Sequence, residues 1–222
     1  MTAPFDPGSP LRLHAVLPRS RANGPGLRFA VWFQGCSLGC PGCFNPATHA
    51  GGTGEPTAAD ALVDRIAGDA ERDAAIEGVT ISGGEPFEQP DGLLALVLGL
   101  RRRAPRLSIL VFSGFTRGEI ERQPLGPAVL GAIDVLVDGR FVERRLLGRG
   151  MRGSDNQKIH LLSGRHSMDA IEATPVGEVV IGPDGTARVS GVAPLELDSR
   201  GAAGDAGDGA AGPGARRGRV LR

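Results

Sequence analysis

The chain has 222 residues, of which 41% are hydrophobic, and its 25 Lys and Arg balance its 25 Asp and Glu to give a formal net charge of zero. This length is enough to bury the core of one domain. A neutral chain exerts no general attraction on nucleic acid or on anionic membranes. No apolar run reaches the roughly 18 residues that a membrane span needs, and the first thirty residues lack the apolar core of a signal peptide. The composition therefore predicts a cytoplasmic protein that binds neither nucleic acid nor membrane.

Three parts of the chain differ in composition. Residues 1–27 are rich in Pro and Gly and are predicted to form an irregular arm, in which a short strand is possible at residues 11–17. Residues 28–192 have the pattern of a globular domain. Residues 193–222 are rich in Gly and Ala and poor in bulky apolar side chains, so they cannot offset the entropy cost of ordering. They are predicted to form a disordered tail.

Strand and helix patterns alternate through the globular part. Buried strands are predicted at residues 28–33, 79–81, 107–112 and 133–137. A helix with a side-chain cap is predicted to begin near residues 57–60, a second occupies residues 93–103, and shorter helical turns lie at residues 118–123 and 127–131. A hairpin is predicted at residues 178–189, with its turn at Pro183-Asp184-Gly185. This order predicts an α/β fold with a parallel sheet covered by helices.

The polar and glycine-rich motifs follow the predicted strands. They lie at residues 36–43, 82–86, 113–115 and 138–140, each directly after one strand of the predicted sheet. In parallel α/β sheets the functional residues collect at the carboxyl ends of the strands. We therefore expect these four loops to open on one face of the domain.

All three cysteines of the chain lie within eight residues, as Cys36, Cys40 and Cys43 in a C-x3-C-x2-C spacing. Three thiolates can hold three irons of a cubane cluster and leave the fourth iron open for a ligand, as catalytic metal sites keep an open position. The alternative is a zinc site with His49 as the fourth ligand, since Cys3His sites are common. An odd cysteine count does not make a self-contained disulfide framework.

The second motif is Ser82-Gly83-Gly84-Glu85-Pro86 at the end of a predicted strand. Two glycines without side chains let a ligand approach the backbone and offer peptide groups to a small charged moiety. An ordinary strand-to-helix turn has the same residue types, so the glycine pair alone is a weak signal.

Together, the cysteine spacing and the Gly-Gly-Glu-Pro motif resemble the radical S-adenosylmethionine superfamily over roughly residues 23–161. The resemblance implies an incomplete parallel (β/α) barrel, a [4Fe-4S] cluster and S-adenosylmethionine, which is cleaved reductively to a 5′-deoxyadenosyl radical. It implies that Cys36, Cys40 and Cys43 are the cluster ligands. It also implies that Gly83, Gly84, Glu85 and Pro86 contact the methionyl amine.

Further motifs indicate which group of proteins within the superfamily this sequence resembles. Gly42 precedes the last cysteine and Phe44-Asn45 follow it, and more matches occur at residues 23–26, 112–115, 134–141 and 152–157. This pattern is similar to the activating proteins of anaerobic ribonucleotide reductases. It implies that a glycine of a large partner enzyme, the reductase large subunit, receives the radical, and that a flavodoxin-like or ferredoxin-like protein supplies the electron.

Two other functions are alternatives to a glycyl-radical activator. One is a radical enzyme that modifies another peptide or metabolite, and the other is a zinc or iron-sulfur interaction module without turnover. The residues after the last match continue further than in the reductase activators, which leaves the identity of the partner open.

Within this resemblance, further residues are candidates for cofactor contact. Gly42 and Phe44 are expected to pack against the adenine, although Phe44 could equally close the core. Asp138 and Arg140 are expected to bind the ribose or the methionyl carboxylate, with a solvated turn as the rival interpretation. Ser113, directly after the predicted strand at residues 107–112, is a further candidate for cofactor contact. We also expect Gly84→Val to spare the cluster and weaken cofactor binding.

Overall fold

The computed structural model describes residues 8, 10–182 and 184–193 and the backbone of residues 219–220. The regular elements in chain order are β1 Leu11–Ser20, β2 Leu27–Phe33, β3 Glu55–Thr57, α1 Ala59–Arg72, β4 Ile76–Gly83, α2 Pro90–Arg103, β5 Ser108–Ser113, α3 Arg117–Glu121, α4 Gly126–Leu130, β6 Val135–Asp138, β7 Leu146–Arg149, β8 Arg152–Ser154, β9 Lys158–Leu161, α5 Met168–Glu172, β10 Gly177–Ile181, β11 Ala187–Gly191 and β12 Arg219–Val220. Short 3-10 turns lie at Pro46–Thr48, Pro86–Glu88 and Glu143–Arg145.

A seven-stranded sheet in the order β3-β1-β2-β4-β5-β6-β9 forms the centre of the protein. Strands β2, β4, β5 and β6 are parallel to one another. The outer pairs β1 with β2, β1 with β3, and β6 with β9 are antiparallel. The carboxyl ends of the four parallel strands therefore meet at one edge, where the loops after β2, β4, β5 and β6 begin.

The two faces of the sheet have different partners because side chains alternate along each strand. On β2, Phe29, Val31 and Phe33 join the main apolar core with residues of α1 and α2, such as Leu62 and Leu96. The amphipathic pattern of both helices is explained by this contact, since each helix buries one side against the sheet.

The other face of the sheet is covered by the C-terminal part of the chain. Leu110 and Val137 pack with Met151 and Ile171 in a second apolar cluster. Trp32 lies in a third cluster, against which the β10–β11 hairpin packs its residue Val180. Residues beyond β6 thus complete the core on the side that the larger helices leave uncovered.

A buried arginine ties three of the parallel strands together on this second face. The Arg28 side chain on β2 is fully buried. Its Nε donates to Thr80 Oγ1 at 2.7 Å, and its Nη1 and Nη2 donate to Ser108, to the Val79 carbonyl oxygen and to the Pro25 carbonyl oxygen. All five N–H donors of the guanidinium have acceptors. Desolvation by burial lowers the pKa of Arg28 to about 10, so the side chain remains charged at neutral pH.

The α/β class and the alternation of strands and helices are confirmed, with a mostly parallel central sheet. Strand β1 is longer than expected and pairs with β2, so the predicted arm contributes a full strand. The hairpin is also present. The predicted side-chain cap of α1 is wrong, because the N-cap is Ala58 and no side chain bonds there.

The predicted boundaries of the globular domain, after residue 27 and after residue 192, stay predictions. Most of the expected disordered tail lies outside the described residues, apart from β12, which pairs with β11. Within the described part of the chain, we find no helix whose length and apolar character would let it cross a membrane.

We expect Arg28→Lys to lower the free energy of unfolding by about 3 kcal/mol, because a lysine has three donors where five acceptors need them and leaves buried oxygens unpaired. Anaerobic urea denaturation measures this change. Arg72→Lys is the control: its side chain is 73% exposed, so we expect a change within about 0.5 kcal/mol. Equal stability of Arg28→Lys and the wild type would show that the buried network is dispensable.

Candidate functional site

The cysteine loop leaves the carboxyl end of β2 and is held by backbone hydrogen bonds. The Gly35 N–H donates to the carbonyl oxygen of Thr48 at 2.7 Å, and the Cys36 N–H donates to that of His49 at 3.2 Å. A tight turn closes between Cys40 and Cys43, whose N–H donates to the Cys40 carbonyl oxygen at 3.2 Å. The buried strand and the turn at Pro46–Thr48 thus fix both ends of the loop that presents the thiols.

The three thiols line one cleft, which we name the cysteine cleft. Its walls are the cysteine loop with Cys36, Cys40 and Cys43, the segment of residues 82–85 at the end of β4, Phe112 and Gly114 at the end of β5, and Gly139 and Phe141 after β6. The cleft therefore lies at the carboxyl ends of the parallel strands, which is where the four loops were predicted to open.

All three cysteines are free thiols and partly buried. Desolvation raises the pKa of Cys36, and the nearby carboxylates of Glu85 and Glu88 raise it further. Desolvation likewise raises the pKa of Cys43. Because a metal binds the thiolate and not the thiol, binding of a cluster must displace protons from this loop.

The donor set fits an iron-sulfur cluster. Three thiol sulfurs face one cleft, and thiolates are the ligands that iron-sulfur clusters use. Within residues 8, 10–182 and 184–193, no group of three or more His, Cys, Asp and Glu side chains is gathered closely enough to hold a single metal ion. His49 lines the same cleft, and its buried Nε2 has no hydrogen-bond partner among the described residues.

The glycine loop after β4 packs directly on the start of the cysteine loop. The Gly84 N–H donates to the carbonyl oxygen of Phe33, and the Glu85 N–H donates to that of Gly35, both at 2.8 Å. A Cβ atom at Gly84 would overlap the carbonyl oxygen of Gly35, the residue before Cys36. Only glycine fits there, so the two loops form one rigid unit.

The Glu85 carboxylate is buried beneath this unit and joins it to the loop after β5. Its Oε1 accepts hydrogen bonds from the Phe87 N–H at 3.0 Å and from Ser113 Oγ at 2.8 Å, and its Oε2 accepts from the Gly114 N–H at 2.7 Å. Burial raises the pKa of Glu85 to about 7, although these hydrogen bonds oppose the shift. Both oxygens are engaged within the protein; Glu85 lines the cleft, and Ser113 helps to hold its carboxylate in place.

Two aromatic rings form another wall of the cleft. Phe44 and Phe141 pack with their ring centroids 4.6 Å apart, and both line the cleft. Gly42 has a φ of 68°, and a Cβ atom there would lie 2.6 Å from the Glu143 carboxyl carbon. Gly42 therefore lets the loop turn tightly beside Cys43, while Phe44 faces the cleft.

Asp138 and Arg140 face an adjoining pocket, which shares Gly139 with the cysteine cleft. Asp138 is buried; its Oδ2 accepts the Arg117 N–H at 2.5 Å and lies 3.1 Å from His160 Nε2. Arg140 Nη1 donates to both carboxylate oxygens of Glu119, at 3.1 and 3.0 Å. Of the predicted cofactor contacts, Phe44, Gly83, Gly84 and Glu85 line the cysteine cleft. The other predicted contacts do not line it: Gly42, Pro86, Ser113, Asp138 and Arg140.

Other residues also line the cleft. The polar motif at residues 152–157 indicated either cofactor contact or a structural hydrogen-bond network. Gln157 accepts hydrogen bonds from the Gly153 and Ser154 N–H groups and donates to the carbonyl oxygen of Gly139 at 2.9 Å, which closes one side of the cleft. The matched motif at residues 152–157 was the signal for it. Gly191 and Val192 reach the cleft from the C-terminal hairpin. No motif indicated these two residues.

Comparison with known proteins gives a family and close relatives. Residues 22–160 match the family described as 4Fe-4S single cluster domain, which covers more than half of the chain. The anaerobic ribonucleoside-triphosphate reductase-activating proteins of Salmonella typhi and Escherichia coli (strain K12) are each 35% identical over 159 residues, which cover 68% of this chain and 99% of the relative. The pyruvate formate-lyase-activating enzyme of Listeria monocytogenes is 45% identical over 84 residues, which cover 37% of this chain and 34% of the relative.

These matches confirm the expected cofactor class, a [4Fe-4S] cluster used with S-adenosylmethionine, and favour it over the zinc alternative. The thiol-lined cleft at the carboxyl edge of the sheet agrees with them. The chain belongs to the 4Fe-4S single cluster domain family and, within it, to the glycyl-radical-enzyme activases of the radical S-adenosylmethionine superfamily.

Proposed function

We propose that this protein generates a glycyl radical on an anaerobic ribonucleoside-triphosphate reductase. The observation that carries the proposal is the cysteine cleft, in which three thiols and the glycine loop of residues 82–85 face one space. Cys36, Cys40 and Cys43 would hold a [4Fe-4S] cluster, which would supply the electron for reductive cleavage of S-adenosylmethionine. The chain's own residues hold, orient and shield these groups.

In this proposal Cys36, Cys40 and Cys43 ligate three irons, and the fourth iron is left for the cofactor. The supporting observation is that the loop before Cys36 is locked to the glycine loop by backbone hydrogen bonds. Gly83 and Gly84 line the same cleft, and their peptide groups could bind the methionyl amine of the cofactor without a side chain in between. The short distance between the two loops orients the cofactor on the cluster.

The remaining contacts follow from the walls of the cleft. Phe44 offers an apolar surface for the adenine, and the positive φ of Gly42 lets the loop turn beside Cys43. Glu85 lines the cleft, and Ser113 Oγ donates to its carboxylate, while Pro86 begins the 3-10 turn that follows the glycine loop. Asp138 and Arg140 would contact the ribose or the carboxylate only if the cofactor extends past Gly139 into the adjoining pocket, and Arg140 would then exchange its bonds to Glu119.

We also infer that the sheet is an incomplete (β/α) barrel of the radical S-adenosylmethionine type. Four neighbouring parallel strands, with helices on one face and a cleft at their carboxyl ends, support this inference. An open barrel suits a protein substrate, because a loop of the partner can enter and place its glycine near the radical. A flavodoxin-like or ferredoxin-like electron donor and a cytoplasmic location complete the proposal.

The direct test is product formation by anaerobically reconstituted protein. After reduction in the presence of S-adenosylmethionine, we expect 5′-deoxyadenosine by liquid chromatography and, with the reductase added, a glycyl radical signal by electron paramagnetic resonance. Cys40→Ala should lose at least about 90% of its iron and sulfide and all product, because a cubane held by two thiolates is not retained. Zinc in place of iron, or no deoxyadenosine from fully loaded protein, would contradict the proposed function.

The packing of the two loops revises the expectation for Gly84. Any side chain there displaces Gly35 beside Cys36, so we expect Gly84→Ala to lower cluster content about twofold or more as well as to weaken cofactor binding. Iron and sulfide analysis after reconstitution measures this loss. Gly51→Ala is the matched control, because a Cβ atom at Gly51 meets nothing within 4 Å. Full iron content in both variants would refute the coupling of the loops.

The raised pKa of Glu85 predicts a pH dependence of stability. A carboxyl group whose pKa rises to about 7 on folding binds its proton more tightly in the folded state, so its contribution to stability is lost as the pH rises from its ordinary value of 4.5 through 7. Between pH 5.5 and 8 we expect the thermal midpoint of the wild type to fall by about 5 °C more than that of Glu85→Gln. Circular dichroism measures the midpoints, and the exposed Glu55→Gln should follow the wild type. Parallel pH profiles for Glu85→Gln and the wild type would exclude this role.

A further inference from the structure

The C-terminal hairpin, which we define as residues 176–193, forms one wall of the cysteine cleft. Its residues Gly191 and Val192 line the cleft together with the three cysteines. The family match ends at residue 160, before the hairpin begins. The hairpin is therefore a part of the site that the family match does not cover.

Side-chain hydrogen bonds hold the hairpin on the β1–β2 connection. The Glu178 carboxylate accepts from the Ser20 hydroxyl and, at 2.9 Å, from the Arg21 N–H. Asn23 Nδ2 donates to Ser190 Oγ at 2.5 Å and to Ser20 Oγ at 2.6 Å, and the Asn23 side chain is buried. Because these polar groups are paired across the contact, moving the hairpin would leave buried partners unsatisfied.

Apolar and backbone contacts complete this position. Val180 packs against the buried cluster that contains Trp32. After β11 the chain turns, and the N–H groups of Val192 and Ala193 both donate to the carbonyl oxygen of Val176, at 2.9 and 3.1 Å. Gly191 has a φ of 131°, and a Cβ atom there would overlap the backbone of Val176. The turn that brings Val192 to the cleft is therefore fixed by backbone geometry.

The hairpin wall and the cysteine wall have different roles in the proposed reaction. The cysteine and glycine loops are committed to the cluster and the cofactor, so the substrate must use the space that the remaining walls leave. Val192 is a β-branched residue with a stiff side chain, held on a turn with two backbone hydrogen bonds. Because this side chain cannot easily move aside, it leaves less room for a substrate residue with a side chain than for glycine.

We propose that Val192 is a specificity-determining residue, and that the hairpin selects an extended, glycine-containing peptide segment of the partner enzyme. This proposal rests on the proposed function, of which it names the substrate side. The role of the hairpin in this proposal is to limit the room for the substrate segment in the cleft.

The test is to fill this space with Val192→Trp and to measure three quantities on the same anaerobic samples. Iron and sulfide content reports the cluster. Deoxyadenosine formed without the partner reports cofactor cleavage, and the glycyl radical signal with the reductase reports hydrogen abstraction. We expect radical formation to fall at least tenfold more than partner-free cleavage, when both rates are expressed per bound iron.

Two further variants make the result specific. Ile181→Trp places the same side chain on the same hairpin at a position that is 72% exposed, and we expect it to behave as the wild type in all three measurements. Val192→Leu adds one methylene group and serves if the tryptophan variant fails to take up iron. For Val192→Leu we expect radical formation to fall at least threefold more than partner-free cleavage, when both rates are expressed per bound iron.

The outcomes separate this proposal from the function on which it rests. Undiminished radical formation in the Val192 variants, or an equal loss of radical formation and partner-free cleavage, would overturn the role of the hairpin while the proposed function stands. Wild-type protein that makes no deoxyadenosine, or that makes it without a glycyl radical on the reductase, would overturn the proposed function and this proposal with it.

Discussion

The contact between Gly84 and Gly35 is the constraint on which the site depends. It brings the backbones of two loops together without an intervening side chain, and the N–H groups of Gly84 and Glu85 seal the contact with bonds to β2 and the cysteine loop. The position of the thiols and the position of the cofactor loop are therefore not independent. Glu85 follows β4, its N–H donates to Gly35 after β2, and its carboxylate accepts from Ser113 and Gly114 at the end of β5, so this one residue connects three of the four strand ends.

Much of this arrangement could be predicted from the sequence because the relevant signals are local. The strand β2 is apolar except for Arg28 and ends just before the cysteine loop, and β4 ends within the glycine motif. The rule that parallel strands expose functional loops at their carboxyl ends then brings both motifs to one edge. Cys36 and Gly84 could be placed in one site without any knowledge of their actual separation.

What could not be predicted depends on contacts between distant parts of the chain. In the sequence, Arg28 is a single charge within an apolar strand. Its role in joining three strands is visible only in the fold, where Thr80 and Ser108 supply acceptors from neighbouring strands. Arg140 carries the right charge for a carboxylate ligand, but the capping-box residue Glu119 of α3 already holds it. The hairpin reaches the cleft through Asn23, some 167 positions away from its partner Ser190, and no periodicity encodes such a pair.

The burial of Trp32 has a practical consequence. The chain contains one tryptophan and no tyrosine, so its intrinsic fluorescence arises almost entirely from a single indole ring. That ring is 1% exposed and lies in the cluster on which Val180 of the hairpin packs. The emission wavelength of an indole depends on its contact with water, so the protein carries a built-in optical reporter of whether the hairpin is docked or released.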